Sequence, residues 1–349
     1  MKRFSILIAA LCLCLTGCGK QTTEATAQIF AMDTVMEVAA YGEHAEQAVK
    51  STEKRIEELE NRLSRTKADS LVSGLNRDGS IRHLTYDYWN LIARAKEYRD
   101  ATNGAFDITI APVMDAWGFT GDSFRVPEQS ELDTLLKKVN SDAIQMLGSP
   151  SDSVTLGEGQ AIDLGGIAKG YTSDCVEAVF YDHEIENGKI SLGGNVFVLG
   201  TKPDGSDWRV GIKDPRNESG LAAILSLRDA YAITSGGYER YFEENGKTYH
   251  HIIDPSTGYP ADSGLLSVTV VAADNGPDWA GAGNGAMCDA FSTALFVMGE
   301  EQALDFWRNG GYDFDLVLVT EDGRVVITSG LADRFEEVKD SGYTYETVS

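Results

Sequence analysis

The chain has 349 residues, of which 42% are hydrophobic and 24% are charged, an ordinary composition for a globular protein. Its formal net charge of −24 argues against nucleic-acid binding and against a polybasic patch for anionic lipid, because both need clustered Lys and Arg. The length is sufficient for one large domain or for two tightly joined lobes.

The chain begins with a pattern typical of an exported protein. Lys2 and Arg3 precede an apolar run at residues 4–15 that is too short to span a membrane comfortably, which predicts a signal peptide over residues 1–17. Small residues followed by Cys18 end the segment and resemble a bacterial lipobox. This pattern predicts lipid attachment at Cys18, on the extracytoplasmic face of the cell membrane. An uncleaved apolar anchor is the alternative, and it also leaves the domain outside the membrane.

The mature chain is interpreted as a tether followed by one folded region. Residues 18–28 form the predicted lipid-anchored tether, since they are polar and largely aperiodic, and residues 29–349 form the predicted domain. Cys175 and Cys288 remain beyond the anchor, without a CxxC motif, and are predicted to be small buried residues.

Helical and strand patterns are mixed along the domain. Apolar stripes predict amphipathic helices over residues 44–63 and 85–101. Further strands are predicted at residues 208–212, 222–227, 265–271 and 314–319, and further helices at 169–180, 289–298 and 301–307. Hairpin-spaced strands with scattered helices predict an α+β fold with mixed or antiparallel sheets, rather than a doubly wound parallel sheet.

Two adjacent histidines are the most informative local feature. His250 and His251 end a predicted strand and precede Asp254-Pro255 and a Thr-Gly pair, residues that favour a tight turn. A strand that ends in a stiff turn holds a titrating side chain still, and histidine suits proton transfer near neutral pH. Since the chain has only 5 histidines, the pair favours a proton-transfer site. The alternative is a pair of strand-end histidines at the surface.

A glycine-lysine segment follows Ile162 and leads into a predicted helix. Its sequence from Asp163 to Tyr171 is D-L-G-G-I-A-K-G-Y. Glycines at a helix N-terminus let backbone groups approach a phosphate, and Lys169 favours negative charge at the same place. Neither the P-loop pattern nor the dinucleotide fingerprint is present, so an ordinary helix N-cap is the alternative.

A third cluster lies on the predicted helix over residues 289–298. Asp289, Ser292 and Thr293 are three and four positions apart and share one helix face. A carboxylate with a hydroxyl suits a hard, oxygen-seeking ion such as Mg²⁺, so the cluster predicts a metal site. The alternative interpretation of the same residues is an ordinary helix N-cap.

These segments, taken in order, resemble the ApbE family, the FAD:protein FMN transferases. The similarity covers almost all of the mature chain. Its segments are Met32–Thr34, Asn61–Ser64, Thr102–Asp107, Pro112, Trp117-Gly118, Asp163–Asp174, Gly193–Asn195, Trp208–Pro215, Thr234–Tyr241, His250–Pro260 and Asp289–Gly299.

The resemblance implies a fold and a reaction. The fold is α+β, in two intimately joined lobes with the cofactor site between them. FAD is the implied substrate, and its FMN half is transferred to a Ser or Thr hydroxyl of an acceptor protein with release of AMP. The implied metal is Mg²⁺, with Mn²⁺ as the alternative, and the implied acceptors are extracytoplasmic subunits of membrane redox complexes.

The resemblance also implies roles for individual residues. His251 is the implied base, in preference to His250. The implied metal ligands are Gly166, through its carbonyl group, with Asp289, Ser292 and Thr293. The implied FAD contacts are Met32, Ala105, Phe106, Asp107, Asp163, Lys169 and Ile253.

Three departures from the family pattern bear on this interpretation. Asp33 stands where glycine is usual, and Thr66 stands where tyrosine is frequent, which removes a stacking partner for a FAD ring. Residues 274–287 form a glycine-rich segment that is inserted relative to the family, interpreted as a surface loop or a flap. A Mg²⁺-dependent FAD pyrophosphatase, or a flavin-binding lipoprotein without turnover, are the alternative functions.

Overall fold

The structure is a computed structural model that describes residues 23–121, 123–148, 152–276 and 283–349. The predicted signal peptide and Cys18 lie outside the described residues. Within these ranges, no helix has both the length and the apolar character needed to cross a membrane.

Strands and helices are mixed along the described residues, with most helices in the first half and a long run of strands over residues 187–273. The strands are β1 (Glu24–Ala31), β2 (Thr34–Tyr41), β3 (Ser80–Ile81), β4 (Gln145–Leu147), β5 (Ser153–Thr155), β6 (Asn187–Leu192), β7 (Asn195–Leu199), β8 (Trp208–Asp214), β9 (Asn217–Leu227), β10 (Ala230–Gly236), β11 (Tyr241–Glu244), β12 (Lys247–His250), β13 (Leu265–Ala273), β14 (Asp315–Thr320), β15 (Arg324–Thr328), β16 (Phe335–Glu337) and β17 (Thr344–Val348). The helices are α1 (Ala45–Leu63), α2 (Leu71–Asp78), α3 (Tyr86–Ala101), α4 (Ala111–Trp117), α5 (Gln129–Leu135), α6 (Ala168–Asp182), α7 (Asn284–Met298) and α8 (Glu300–Asn309).

One large sheet organises the described residues. Nine strands lie in the order β1-β2-β6-β7-β10-β13-β14-β15-β17, and every neighbouring pair is antiparallel except β15 and β17. The small sheets β16-β9-β8, β3-β5-β4 and β11-β12 stand beside it. The predicted α+β class is confirmed.

Both faces of the large sheet are buried because side chains alternate along its strands. Val268, Val270 and Leu316 point to the face covered by α1, α6 and α7, whereas Val271 and Val317 point to the face covered by β8 and β9. The structure thus has two hydrophobic cores on opposite faces of one sheet. A third, aromatic core surrounds Trp117.

Two predicted boundaries differ from the structure. Strand β1 begins at Glu24, inside the segment interpreted as a tether, because residues 24–31 alternate between exposed and partly buried positions and pair with β2. Helix α7 begins at Asn284, so the last residues of the predicted 274–287 loop are helical. The prediction that Cys175 and Cys288 are buried is confirmed, and both are free thiols.

Helices α6 and α7 approach each other closely through two glycines. A Cβ added to Gly170 would lie 2.1 Å from the Gly285 carbonyl oxygen and 2.6 Å from the Asp289 Cβ. We therefore expect Gly170→Ala to lower the free energy of unfolding by about 1–3 kcal/mol, measured by urea denaturation. Gly74→Ala in α2 is the matched control: its Cβ would meet only the Arg77 side chain at 3.8 Å, so stability should rise by up to about 1 kcal/mol. Equal effects of the two substitutions would contradict the close approach.

Candidate active site

A cavity of about 1010 Å³ opens between the β1–β2 turn, the N-terminus of α6, the middle of α7 and the turn after β12. Its volume is at the upper end of the range for small-molecule sites and is sufficient for a dinucleotide. All but one of the site residues predicted in the described part of the chain lie on its wall. These are Met32, Ala105, Phe106, Asp107, Asp163, Gly166, Lys169, His251, Ile253, Asp289 and Thr293.

His251 is held by the backbone of Arg240. Its backbone N–H donates to the Arg240 carbonyl oxygen at 3.0 Å, and its Nδ1 lies 3.1 Å from the same oxygen. Because a carbonyl oxygen only accepts, Nδ1 carries the proton and Nε2 is unprotonated. The pKa of His251 is lowered to about 3, chiefly by removal of the ring from water. The hydrogen bond to the Arg240 carbonyl opposes this shift, and the positive charges of Lys169 and Arg240 contribute to it. The ring is therefore neutral at pH 7, with a free lone pair.

His250, in contrast, has both ring nitrogens occupied. Its Nε2 donates to the Ala261 carbonyl oxygen at 3.0 Å, and its Nδ1 accepts from the Ile252 N–H at 3.3 Å. Its ring packs edge-on against Phe296, and burial lowers its pKa. His250 thus supports the turn, and of the two histidines only His251 lies on the cavity wall.

The turn after the histidines is as tight as the sequence predicts. The Asp254 N–H donates to the Tyr259 carbonyl at 2.8 Å, and the Gly258 N–H donates to the Asp254 carbonyl at 2.8 Å. Trp117 Nε1 donates to the Gly258 carbonyl oxygen at 2.7 Å and ties this turn to the aromatic core. The turn that follows His251 is consequently held rigidly.

Asp289 is the buried carboxylate of the cavity, with 3% of its surface exposed. Its Oδ2 accepts from the Gly170 N–H at 2.8 Å, and its Oδ1 accepts from Asn195 Nδ2 at 3.1 Å. Burial raises its pKa, while Lys169 and these two hydrogen bonds act in the opposite direction. Each oxygen retains a lone pair, so Asp289 has capacity for a cation.

The oxygen groups beside Asp289 fit a hard cation. A Cβ on Gly166 would lie only 3.4 Å from Thr293 Oγ1, so the Gly166 backbone and the Thr293 hydroxyl are neighbours. Asn195 Oδ1 is buried without a hydrogen-bond partner, as expected for an oxygen near a cation site. The described residues contain no cluster of three or more His, Cys, Asp or Glu suited to a metal, and the predicted set requires only one carboxylate.

Ser292 is the one predicted ligand that the structure places elsewhere. It does not lie on the cavity wall, because the helical spacing turns it into the core, where it is fully buried. Its hydroxyl donates to the Asp289 carbonyl at 2.9 Å and lies 2.8 Å from Ser235 Oγ. Ser235, in contrast, lines the cavity, and its Oγ lies 3.1 Å from Thr293 Oγ1.

Asp107 lies on the wall, but its carboxylate is occupied by the protein itself. Oδ1 accepts from the backbone N–H and the hydroxyl of Thr109 at 2.8 and 2.6 Å, and Oδ2 accepts from the Ser141 N–H at 3.1 Å. Asp107 therefore stabilises the loop that carries Phe106. Its carboxylate has little remaining capacity to accept a hydrogen bond from FAD.

Arg65 and Lys169 are cations of the cavity wall that are held by carboxylates. Arg65 contacts Asp163 at 3.2 Å and Asp115 at 2.8 Å. Lys169 Nζ lies 3.8 Å from the Glu239 carboxylate. Burial raises the pKa of Glu239, and the positive charge of Lys169 opposes that shift. Both cations are thus positioned at the wall, where a pyrophosphate would meet them.

Sequence reasoning assigned no role to five residues of this site. Asn195 lies in a segment that carried the family resemblance, as do Ser235, Glu239 and Arg240, and Arg65 directly follows another. Their position in or beside these segments was the only sequence signal for these five residues. That position does not indicate which side chains point into the cavity.

Asp33 and Thr66, two of the three departures from the family pattern, also lie at the cavity. Asp33 has a φ of 59°, a left-handed conformation that suits the usual glycine, and its carboxylate lies 3.2 Å from Arg240 Nη2. Thr66 is exposed and hydrogen-bonds Ser64 Oγ at 3.0 Å, so it offers no aromatic surface to a bound ring. Asp33 thus contributes an ion pair rather than a free charge.

The fold and the cavity define an α+β protein with an enzyme-like site, in which a neutral histidine, several cationic side chains and a carboxylate–hydroxyl set line one cavity. A model described as the ApbE family matches residues 32–318. The chain belongs to the ApbE family.

Relatives and solved structures agree with this assignment. The chain is 33% identical to the FAD:protein FMN transferase of Klebsiella pneumoniae, over 82% of this chain and 86% of that one. It is 30% identical to the enzyme of the same name from Haemophilus influenzae, over 96% and 98% of the two chains. Among crystal structures, the ApbE protein of Thermotoga maritima superimposes with a TM-score of 0.77 at 30% identity, covering 91% of this chain and 97% of that chain.

Proposed function

We propose that this protein is an FAD:protein FMN transferase that moves the FMN half of FAD onto a Ser or Thr hydroxyl of an acceptor protein. Membership of the ApbE family and relatives that bear this name support the activity. The observation that carries the proposal is the shared cavity: the unprotonated Nε2 of His251 belongs to the same wall as Asp289 and Thr293.

In the proposed reaction, the acceptor hydroxyl oxygen forms a bond to the FMN phosphorus of FAD. The phosphorus–oxygen bond to AMP breaks, AMP leaves with that electron pair, and the hydroxyl proton passes to His251 Nε2. Lys169 and Arg65 bind the pyrophosphate oxygens, and Met32, Phe106 and Ile253 supply apolar contact for the rings. Because Nδ1 is held by the Arg240 carbonyl, His251 accepts the proton at a defined atom.

We also propose that the reaction is Mg²⁺-dependent, with Asp289, Thr293 and the Gly166 carbonyl as the protein ligands. When bound, the metal neutralises charge on the pyrophosphate, and this ligand set leaves positions for phosphate oxygens and water. A ligand set without His or Cys side chains favours Mg²⁺ or Mn²⁺ over Zn²⁺.

The proposal includes a location and a class of partner. Cys18 is proposed as the lipidation site that anchors the protein to the extracytoplasmic face of the membrane, on the pattern of residues 1–18. The proposed acceptors are subunits of membrane redox complexes.

The test uses the protein without residues 1–18, incubated with FAD, Mg²⁺ and an acceptor fragment that contains the target threonine. Intact-mass spectrometry of the acceptor should show a gain of one FMN, chromatography should show an equal amount of AMP, and EDTA should abolish both. Release of AMP and FMN without an adduct would establish a pyrophosphatase instead. FAD retention without any turnover would establish a flavin-binding protein.

Arg240 is expected to position the base. Its Nη1 donates to the Phe119 carbonyl at 2.7 Å, Nη2 pairs with Asp33, and its own carbonyl holds His251. We expect Arg240→Met to slow transfer by about 10–10²-fold, because a slightly misplaced base loses much of its effect. The acid limb of the pH–rate profile should also move upward, since a looser His251 regains water and its pKa rises.

Asp33→Asn is the matched control for Arg240→Met. The Asp33–Arg240 pair is largely exposed and is worth about 0–1 kcal/mol, so the transfer rate should change by less than about fivefold. A larger loss in Asp33→Asn than in Arg240→Met would contradict the assignment.

A further inference from the structure

A second cleft lies at the N-terminal end of α7, outside the catalytic cavity. It encloses about 270 Å³ and is lined by Glu177 and Tyr231 on one side, Asp274 and Asn275 on another, and Arg94 with Glu97 on a third. Asp274 opens the segment that is inserted relative to the family pattern. Nothing in the transfer reaction uses these residues.

Glu177 is a buried carboxylate that lacks a partner for one oxygen. Only 2% of its surface is exposed, Oε2 accepts from the Tyr231 hydroxyl at 2.6 Å, and Oε1 is buried without a hydrogen-bond partner. Burial, and after it the neighbouring Asp274 carboxyl, raises the pKa of Glu177, and both residues line the cleft. Two neighbouring carboxylates, one of them with an unpartnered buried oxygen, require a proton or a cation.

The other charged groups around the cleft are already matched. Asp174 accepts from the backbone N–H groups of Gly283, Gly285 and Ala286 at 3.0, 2.7 and 2.9 Å, at the start of α7. Arg94 Nη1 pairs with Glu97 at 2.8 Å. The excess negative charge of the cleft is therefore carried by Glu177 and Asp274.

We propose that Glu177 and Asp274 bind a hard divalent cation of the Ca²⁺ class in this cleft. Carboxylate oxygens with water suit Ca²⁺, whose coordination is flexible, and the cleft has space for an ion with several waters. A shared proton would satisfy the same two oxygens, but it needs no open cleft. Since the described residues contain no cluster of three or more His, Cys, Asp or Glu suited to a metal, water completes the shell and the expected Kd is on the order of 10⁻⁴–10⁻³ M.

The cation has a structural role in this proposal. Glu177 belongs to α6, Asp274 follows β13, and Asp174 on α6 binds the first turn of α7. A cation bound by Glu177 and Asp274 stabilises the position of the segment that leads into α7, the helix that contains Asp289. The proposed site is independent of the transfer reaction and of its metal.

Tb³⁺ luminescence tests the site, because Tb³⁺ replaces Ca²⁺ at oxygen ligands and is excited by a nearby tyrosine such as Tyr231. The full-length protein is titrated with Tb³⁺ in excess Mg²⁺, and Ca²⁺ is then added as competitor. We expect Ca²⁺-displaced emission in the wild type and in Asp289→Asn, and at least a tenfold loss in Glu177→Gln and in Asp274→Asn. Glu301→Gln, at an exposed position on α8, is the matched control and should retain the emission.

Thermal melting provides the second measurement and distinguishes a cation from a proton. Ca²⁺ should raise the Tm of the wild type by a few degrees and leave that of Glu177→Gln unchanged. Absence of both Ca²⁺-displaced emission and a Ca²⁺ effect on Tm in the wild type would overturn the proposal. The carboxyl pair would then hold a proton, and Glu177→Gln, whose amide donates to Asp274, would be at least as stable as the wild type. Emission that persists in Glu177→Gln would also overturn it.

Discussion

Asp289→Asn is expected to abolish metal-dependent transfer, with a loss of about 10³-fold or more. Asp289 is the one carboxylate among the proposed ligands, and a bound metal contributes several kcal/mol of charge stabilisation to such a reaction. Transfer rates measured across a Mg²⁺ titration, with and without the substitution, give the size of the loss. A variant with unchanged Mg²⁺ dependence would refute the ligand assignment.

The same substitution should not destabilise the metal-free protein. Burial raises the pKa of Asp289, which means that the folded protein holds its charge at a cost when no cation is present. The neutral asparagine removes that charge and still accepts from the Gly170 N–H. We therefore expect the Tm without metal to stay the same or rise, and the Mg²⁺-induced increase in Tm to disappear. Asp305→Asn, at an exposed position on α8, is the control that should change neither quantity.

His251→Ala is expected to slow transfer by about 10²–10⁴-fold, the usual range for loss of a general base, while FAD binding is retained. The reason is geometric, because Nε2 is the ring atom left free to accept a proton. The rate is measured by the gain of FMN on the acceptor, and FAD binding by equilibrium titration. His250→Gln is the matched control: it should lower stability and have a smaller effect on the rate, since His250 supports the turn. Loss of FAD binding in His251→Ala would assign the residue to binding instead.

The pH dependence of transfer follows from the lowered pKa of His251. A base must be neutral to accept a proton, and the folded-state pKa of about 3 lies below the ordinary value of 6.5. His251 therefore stays neutral as the pH falls through 6.5, and it becomes protonated only as the pH falls toward 3. We expect no acid limb from this residue between about pH 8 and pH 5. An acid limb centred near pH 6.5 that disappears in His251→Ala would contradict the assignment.

The most strongly periodic elements could be predicted from the sequence. The helix predicted over residues 85–101 is Tyr86–Ala101 in the structure, and the strand predicted over 265–271 is Leu265–Ala273. In the large sheet the predictions included β13 and β14 and missed the other strands. In β1, for example, most positions are small or polar residues, which give little apolar contrast. The predictions also missed the start of α7, where glycines do not mark a helix.

The site was predicted as a set of residues, but its geometry was not. Asp289 and Thr293 are four positions apart on one helix, so their shared direction follows from local geometry alone. Ser292, one position away, turns into the core, where its hydroxyl contacts that of Ser235 from β10, a residue that lines the cavity. No local pattern pairs two residues that are 57 positions apart in the chain.

The sequence by itself determined the α+β class, the family and the residues that gather at the cavity, because these depend on periodicity and on short motifs. Only the tertiary structure decided what each side chain does. It directs His250 into the protein and leaves Nε2 of His251 free to accept a proton. It also surrounds the Asp107 carboxylate with hydrogen-bond donors of the protein. Finally, it brings Glu177 and Asp274, from two distant segments, to the wall of one cleft. Such contacts arise when packing brings remote segments together, and burial then sets the pKa of each group.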